Sequence, residues 1–379
     1  MFNKPLQVSE ALNYLVVGIF LFSFFLQLWY WWGVFGKLCF YKKKNNTTNT
    51  PPVSLIICAK NEDHNLSQFL VSVLKQDYPD YEVLVVNDCS YDNTGEVLKE
   101  FAVKYKHLKI VTIKEDDYYK HGKKFALMCG IKGAAHEYLV LTDADCEPAS
   151  DQWLKEMMSN YDDQTAIVLG YGGYFNEKGF LNKLIRFDTF YVALQYLSFA
   201  LNKKPYMGVG RNLSYKKSMF FNKKGFASHY FLESGDDDLF INEAASKTNT
   251  RVELSANSFT RSKPKTTFSD WFRQKKRHLT TYKHYTSKSI FELSKFSISQ
   301  VLFYLTFILL LIAHYEPIIV SSVFLIRFIG QMFIFKKAGD RLGEKDLLLF
   351  SPLFELLLMF IYTALSISGT FGKKTQWKT

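Results

Sequence analysis

The chain holds little cysteine, and none of it is spaced for chemistry. Five cysteines occur in 379 residues: Cys39, Cys58, Cys89, Cys129 and Cys146. The count is odd and no pair has metal-ligand spacing. That argues against a disulfide framework and places the soluble part in a reducing compartment. No internal repeat is found, and the one low-complexity stretch is the polar run Asn45 to Pro52, which reads as a linker. No small-residue cleavage site follows the first apolar run, so that run reads as an anchor and not as a signal peptide. Acid is in deficit as well. Asp and Glu number 36 against 47 Lys and Arg, a net charge of +11. Such a surplus suits nucleic acid, an anionic lipid surface or a phosphate-bearing substrate. Here the basic clusters flank long apolar runs and form no separate soluble patch. Membrane lipids are therefore an expected partner, and nucleic acid is not.

What abounds is apolar and aromatic: 48% hydrophobic residues, 17% aromatic, 35 Phe. They gather at the two ends. Ala11 to Val34 is almost wholly apolar and long enough to cross about 30 Å of hydrocarbon. Its Trp29-Tyr30-Trp31-Trp32 cluster fits an interfacial aromatic belt. Lys37 and Lys42-Lys43-Lys44 follow, which orients the next segment toward the cytoplasm. Three further spans are expected near Ile298–Ala313, Pro317–Phe335 and Leu347–Ile367. The basic stretch Lys336 to Arg341 reads as a cytoplasmic loop between the last two. A spanning last helix would then put Lys373, Lys374 and Lys378 outside, against the charge rule, so a partly re-entrant last segment stays open beside full spanning.

Between the ends the pattern alternates. Strand-like runs at Val53–Cys58, Glu82–Val86, Leu108–Ile113 and Tyr138–Thr142 are separated by helical stretches at Asn65–Gln76, Gly95–Lys106 and Phe125–Ala134. This predicts an α/β domain with a mainly parallel sheet, in which ligands bind at the carboxyl ends of strands. Polar residues stand at those ends. Ala59-Lys60-Asn61-Glu62 follows the first strand, Asn87-Asp88 the second and Asp143-Ala144-Asp145 the fourth.

Asp143 and Asp145 close an apolar strand, and Mg²⁺ or Mn²⁺ takes one or two carboxylates plus phosphate oxygens. Asp88 can accept a hydrogen bond from a nucleotide base, or serve as a turn residue. Lys123 and Lys124 precede a helix whose N-terminus could meet a diphosphate. Asp236, Asp237 and Asp238 crowd one another, so at least one pKa is expected to rise. A positioned carboxylate there suits proton abstraction from a hydroxyl. Phe268 to Tyr285 is basic, aromatic and amphipathic, and reads as an interfacial helix.

In order, Lys60-Asn61-Glu62, Asp88, Thr142-Asp143-Ala144-Asp145, Gly235-Asp236-Asp237 and Gln274-Lys275-Lys276-Arg277 resemble the family-2 glycosyltransferases of the GT-A fold. The resemblance covers roughly 53–278. It is closest to the membrane-integrated branch, which includes hyaluronan, chitin, cellulose and poly-N-acetylglucosamine synthases and ceramide glucosyltransferases. It implies a GT-A type Rossmann-like mixed sheet flanked by helices, with one N-terminal and about three C-terminal transmembrane helices. The expected division is 1–44, 45–265, 266–290 and 291–379: first membrane helix, transferase domain, interface helix, remaining membrane helices.

The resemblance further implies nucleotide-sugar contacts at Ala59, Asn61, Glu62, Asp88, Lys123, Asp143, Gln274 and Arg277. It implies a metal at Asp143 and Asp145, and a catalytic base at Asp237, with Asp236 the alternative. His278 stands where the family has Trp, and Gly208–Asn212 resembles an acceptor-side loop. The expected reaction is inverting transfer from a nucleotide sugar, with UDP the nucleotide, to a growing polysaccharide or else to a lipid acceptor such as a sphingolipid or polyprenyl carrier. The expected place is a bacterial inner (plasma) membrane, with the transferase domain cytoplasmic.

Overall fold

The computed structural model describes residues 4–43, 50–115 and 122–371, with the side chains of 4–10 and 366–371 excepted. Lys44, most of the Asn45–Pro52 linker and the tail lysines Lys373, Lys374 and Lys378 lie outside the described residues.

Helix α1 (Lys4–Leu28) opens the chain. A π-helical stretch, Trp29–Phe35, and the short α2 (Gly36–Cys39) continue it. Apolar residues from Ala11 to Cys39 make the run long enough to cross a membrane. The aromatic cluster is split. Trp29 and Trp32 are exposed, but Tyr30 and Trp31 are fully buried. They pack edge-on against Phe296. Half of the expected interfacial belt is thus internal packing.

The α/β domain alternates as its sequence does: β1 (Val53–Ala59), α3 (Asp63–Leu74), β2 (Tyr81–Asp88), α4 (Thr94–Lys104), β3 (Leu108–Ile113), α5 (Lys123–Gly133) and β4 (Tyr138–Asp143). β1 and β2 are buried along nearly their whole length, as continuous apolar strands of a parallel sheet must be. α3 supplies an amphipathic face, burying Leu66, Phe69, Leu70, Val73 and Leu74. Then come β5 (Cys146–Pro148), α6 (Trp153–Met158), β6 (Ile167–Leu169), β7 (Gly172–Tyr174), α7 (Phe180–Leu201), β8 (Leu213–Lys216), α8 (Lys217–Asn222), α9 (Asp238–Ala244), β9 (Thr250–Val252) and β10 (Thr260–Ser262). The main sheet runs β3-β2-β1-β4-β8-β6-β9. It is parallel through β4, and β8 is antiparallel to both neighbours. A second sheet, β5-β10-β7, sits beside it.

α10 (Phe268–Tyr282) is the amphipathic helix, capped by the Thr267 side chain accepting from Asp270 N. α11 (Ser287–Ile312), α12 (Pro317–Leu342) and α13 (Ser351–Phe371) follow. With the first run, these make four helices long and apolar enough to cross a membrane. The stretch 336–341 is not a loop. α12 continues through it because Ala338 and Leu342 bury fully and Arg341 bonds the Tyr41 carbonyl.

One polar network ties the four membrane helices. Arg327 of α12 bonds Gln331, Tyr304 of α11 (2.9 Å) and Gln27 of α1 (2.9 Å), and pairs with Glu355 of α13 at 3.5 Å. Glu355 also accepts from Gln300 and Gln331, each at 2.5 Å. Apolar helices gain little from one another in hydrocarbon, so such bonds matter for their association.

α13 has a second attachment. Phe354 packs on Phe180 and Phe187 of α7, and two turns later Tyr362 donates to Asp188 of α7 at 2.5 Å. α13 also packs on α10. It therefore packs against both α7 and α10 of the preceding domain.

Candidate active site

The site forms where β1, β2 and β4 end side by side. Register pairs Cys58 with Val86 and Asp143, and Ala59 with Asn87. Ala59 and Asp88 are completely buried there. Asn61 takes a left-handed φ of 54°. Its N–H donates to Ser90 Oγ (2.9 Å), its side-chain oxygen accepts from Tyr91 N (3.0 Å), and Glu62 N–H donates to Thr94 Oγ1 (2.8 Å). The loops after β1 and β2 are thus stitched into one rim.

Across from it, Lys123 at the start of α5 reaches Asp143 Oδ1 (2.9 Å) and Asp236 Oδ2 (3.1 Å). Lys124 turns away and donates to the carbonyls of His229 and Leu232. Burial pushes Asp143 up, but Lys123, Arg211 and Arg277 outweigh it and hold the carboxyl below its ordinary value. Burial, and then Asp143 itself, push Asp145 up to about 6. Ligand atoms of Asp143, Asp145 and Cys146 lie within 4.8 Å of one another. Cys146 offers a soft sulfur donor, which a hard oxygen-seeking cation does not select. Two converging carboxylates remain, a donor set that fits Mg²⁺ or Mn²⁺ completed by phosphate oxygens.

Asp237 caps α9. Its side chain accepts from Asp238 N (2.8 Å) and from Gly210 N (2.7 Å). A Cβ at position 210 would sit 3.4 Å from Asp237 Oδ2, ordinary van der Waals contact, so the bond itself does not require glycine there. Gly235 has φ +102°, which bends the chain into the acidic triplet. Burial, then Asp236 and Asp238, push Asp237 up to about 7. Asp238 is anchored elsewhere, accepting from Thr281 (2.5 Å) and Tyr285 (2.9 Å).

Lys123, Asp143, Asp145, Asp236, Asp237, Gln274 and Arg277 all line one cavity of about 730 Å³. Gln274 Oε1 and Arg277 Nε are buried there without a hydrogen-bond partner among the described residues. Ala59, Asn61, Glu62 and Asp88 gather instead at the strand-end rim, outside that lining. Two elements of the cavity escaped the sequence reading. Arg211 lies 4.4 Å over the Tyr174 ring and bonds Gly173 O and Ser262 Oγ. The signal for it was its place in Gly-Val-Gly-Arg-Asn. The other is the membrane-side wall, drawn from α11 and α13.

Known proteins match this chain in two ways. Residues 54–222 match glycosyl transferase family 2. The glycosyltransferase AglE of Haloferax volcanii is 33% identical over 146 residues, 38% of this chain and 46% of that protein. A poly-beta-1,6-N-acetyl-D-glucosamine synthase of Staphylococcus epidermidis is 38% identical over 93 residues, 24% of this chain and 21% of that protein. The aligned stretches thus cover less than half the length of these relatives. In structure, mannosyltransferase PcManGT from Pyrobaculum calidifontis, solved with GDP-Man and Mn²⁺, superposes with a TM-score of 0.60 at 17% identity, covering 96% of this chain and 100% of that one. Residues 54–222 thus match a family-2 glycosyltransferase domain, the fold is shared with a solved mannosyltransferase, and the chain adds four helices apolar enough to span a membrane.

Proposed function

We propose that the protein transfers a sugar from a nucleotide-diphosphate sugar to an acceptor hydroxyl at the membrane, with inversion. The observation that carries this reading is Asp237, held by the Gly210 N–H and facing the same cavity as Lys123, Asp143 and Arg277. Ala59, Asn61, Glu62 and Asp88 would form the nucleotide end of the donor site. Asp143 and Asp145 would hold Mg²⁺ or Mn²⁺, which when bound neutralises charge on the diphosphate. Lys123, Gln274 and Arg277 add donors aimed at the same group. Asp237 takes the acceptor's proton, and the freed oxygen attacks the anomeric carbon opposite the departing nucleoside diphosphate. Asp236 is tied to Lys123 and suits the role of counter-charge better than that of base.

UDP is the expected nucleotide. The GDP-Man and Mn²⁺ of the mannosyltransferase of like fold support the donor and metal classes. Relatives named as a polysaccharide synthase and as a beta-monoglucosyldiacylglycerol synthase keep polymer and lipid acceptors both in view. The domain division 1–44, 45–265, 266–290 and 291–379, and a transferase domain on the cytoplasmic face of a bacterial inner membrane, belong to the same reading.

Asp237→Asn tests it. Donor binding should stay near wild type while transfer is lost. Retained turnover would move the base to Asp236. Membranes offered a panel of labelled UDP- and GDP-sugars with Mg²⁺ or Mn²⁺ should consume at least one, and no consumption would defeat the reading.

A further inference from the structure

The cavity does not stop at the catalytic carboxylates. It continues past Tyr285 and Phe296 to Gln300 and Val301 of α11, and to Leu358 and Met359 of α13. One end is lined by charged side chains; at the other, apolar Val301, Leu358 and Met359 alternate with polar Ser297, Gln300, Glu355 and Thr363.

The far end opens sideways. Ser297 and Val301 stand one turn apart on α11, and Met359 and Thr363 one turn apart on α13, so each pair shares a helix face. All four line the cavity. Ser297, Val301 and Thr363 are also exposed, and Met359 is half-buried. Around them the outer surface is apolar, with Ile298, Leu305 and Phe360 exposed. These helices are apolar enough to sit in a bilayer, so the opening faces lipid.

The same end is closed toward the bundle centre. Gln300 and Glu355 form its floor and bond each other at 2.5 Å. Behind them stand Arg327, Gln331 and Gln27, each at most 1% exposed. Beyond these, Phe20, Phe24 and Phe303 fill the helix interior. A polymer leaving through the membrane needs a path along that interior. A lipid needs only the side opening.

We propose that the acceptor is a membrane lipid bearing a free hydroxyl, admitted between α11 and α13. This rests on the glycosyl-transfer reading above. Its chain lies along Val301, Leu358 and Met359 and its hydroxyl reaches Asp237. The O–H proton passes to Asp237, a C–O bond forms at the anomeric carbon, and the bond to the diphosphate breaks. The nucleoside diphosphate leaves on the strand side and the glycolipid leaves by the side opening.

The full chain in vesicles, with its consumed nucleotide sugar, provides the test. Separate vesicles carry diacylglycerol, ceramide or a polyprenyl phosphate, and a parallel reaction offers soluble oligosaccharide. One glycolipid carrying a single sugar is expected from diacylglycerol or ceramide, and the arm that yields it names the lipid; product from the polyprenyl phosphate alone, which attacks through a phosphate oxygen and offers no alcohol proton, would overturn the hydroxyl-lipid acceptor. A Ser297→Trp, Thr363→Trp double variant should lose at least about tenfold of this transfer while calorimetric donor binding is kept. A diacylglycerol with a photoreactive acyl tail should crosslink to α11 or α13 in the wild type, a readout independent of how the variant folds. A polymer ladder, or oligosaccharide extension undiminished in the double variant, would overturn the lipid acceptor. Absence of donor binding in the wild type would instead defeat the glycosyl-transfer reading.

Discussion

The two ends of the cavity are built from opposite materials. At the proposed donor end, Asp143 closes a strand that the sheet holds in register and Asp237 caps α9, and each is fixed by a named bond: Lys123 to Asp143, Gly210 N–H to Asp237. At the membrane end, the walls are faces of α11 and α13, where the bonded pair Gln300–Glu355 and the hydroxyls of Ser297, Tyr362 and Thr363 interrupt apolar side chains. Rigid strand ends suit a reaction that needs atoms placed within fractions of an ångström. Helix faces in lipid suit an acceptor that must slide in and leave.

The largest expected effect lies at the donor end. Asp143→Ala or Asp145→Ala should abolish metal-dependent donor binding and lower transfer on the order of 10³-fold, since Lewis-acid stabilisation supplies several kcal/mol. Titration calorimetry with Mn²⁺ and the nucleotide checks it. Binding that survives in both variants would remove the metal from this end. Next comes pH. A carboxyl held up to about 7 is protonated below that value and accepts no proton there. Transfer should therefore fall as pH drops through about 7, where an ordinary carboxylate would remain active down to about 4. If the rate stays flat from pH 8 to 5, Asp237 is not the base.

The same contrast explains what the sequence could reveal. The donor end is carried by short contiguous motifs, because an apolar strand and the residues just after it are neighbours in the chain. Asp88 and Asp143-Ala144-Asp145 could be read for that reason, and Gly235-Asp236-Asp237, which follows no strand, because its acids adjoin in the chain. The parallel half of the sheet was legible from apolar runs alternating with helical stretches. The short β5–β10–β7 sheet was not, since three-residue strands carry no period to read. The membrane end depends on Ser297, Gln300, Glu355 and Met359, single residues that converge only once α13 crosses α7 and α10. Glu355 in an apolar run was visible; its partner Arg327, some thirty residues before it, was not assignable.

At the membrane end the expected losses concern stability before chemistry. Arg327→Met would leave Glu355 buried without its cation, and breaking such a pair costs about 3–5 kcal/mol. Thermal unfolding in detergent should show a lower Tm. Arg327→Met combined with Glu355→Met should recover most of it, because apolar replacement of both partners removes the uncompensated charge. A double variant no better than the single would mean that the bonds to Gln27, Gln300 and Gln331 carry the stability.

The smallest effect is the most discriminating. Tyr362→Phe removes one hydroxyl, the link from α13 to Asp188. Lys275 still pairs with Asp188, so no buried charge is stranded and the stability loss should stay at about 0.5–1.5 kcal/mol. Yet Tyr362 also lines the cavity beside the side opening. If α13 is held beneath the transferase domain to shape an acceptor path, loosening it should raise the acceptor KM severalfold and leave the donor KM unchanged. Most of the proposed donor contacts lie on β1, β2, β4, α5 and the loops after them; only Gln274 and Arg277 stand on α10, which packs against α13. Equal changes in both KM values would mean that the two ends move as one body. An unchanged acceptor KM would mean that α13 only supports the fold.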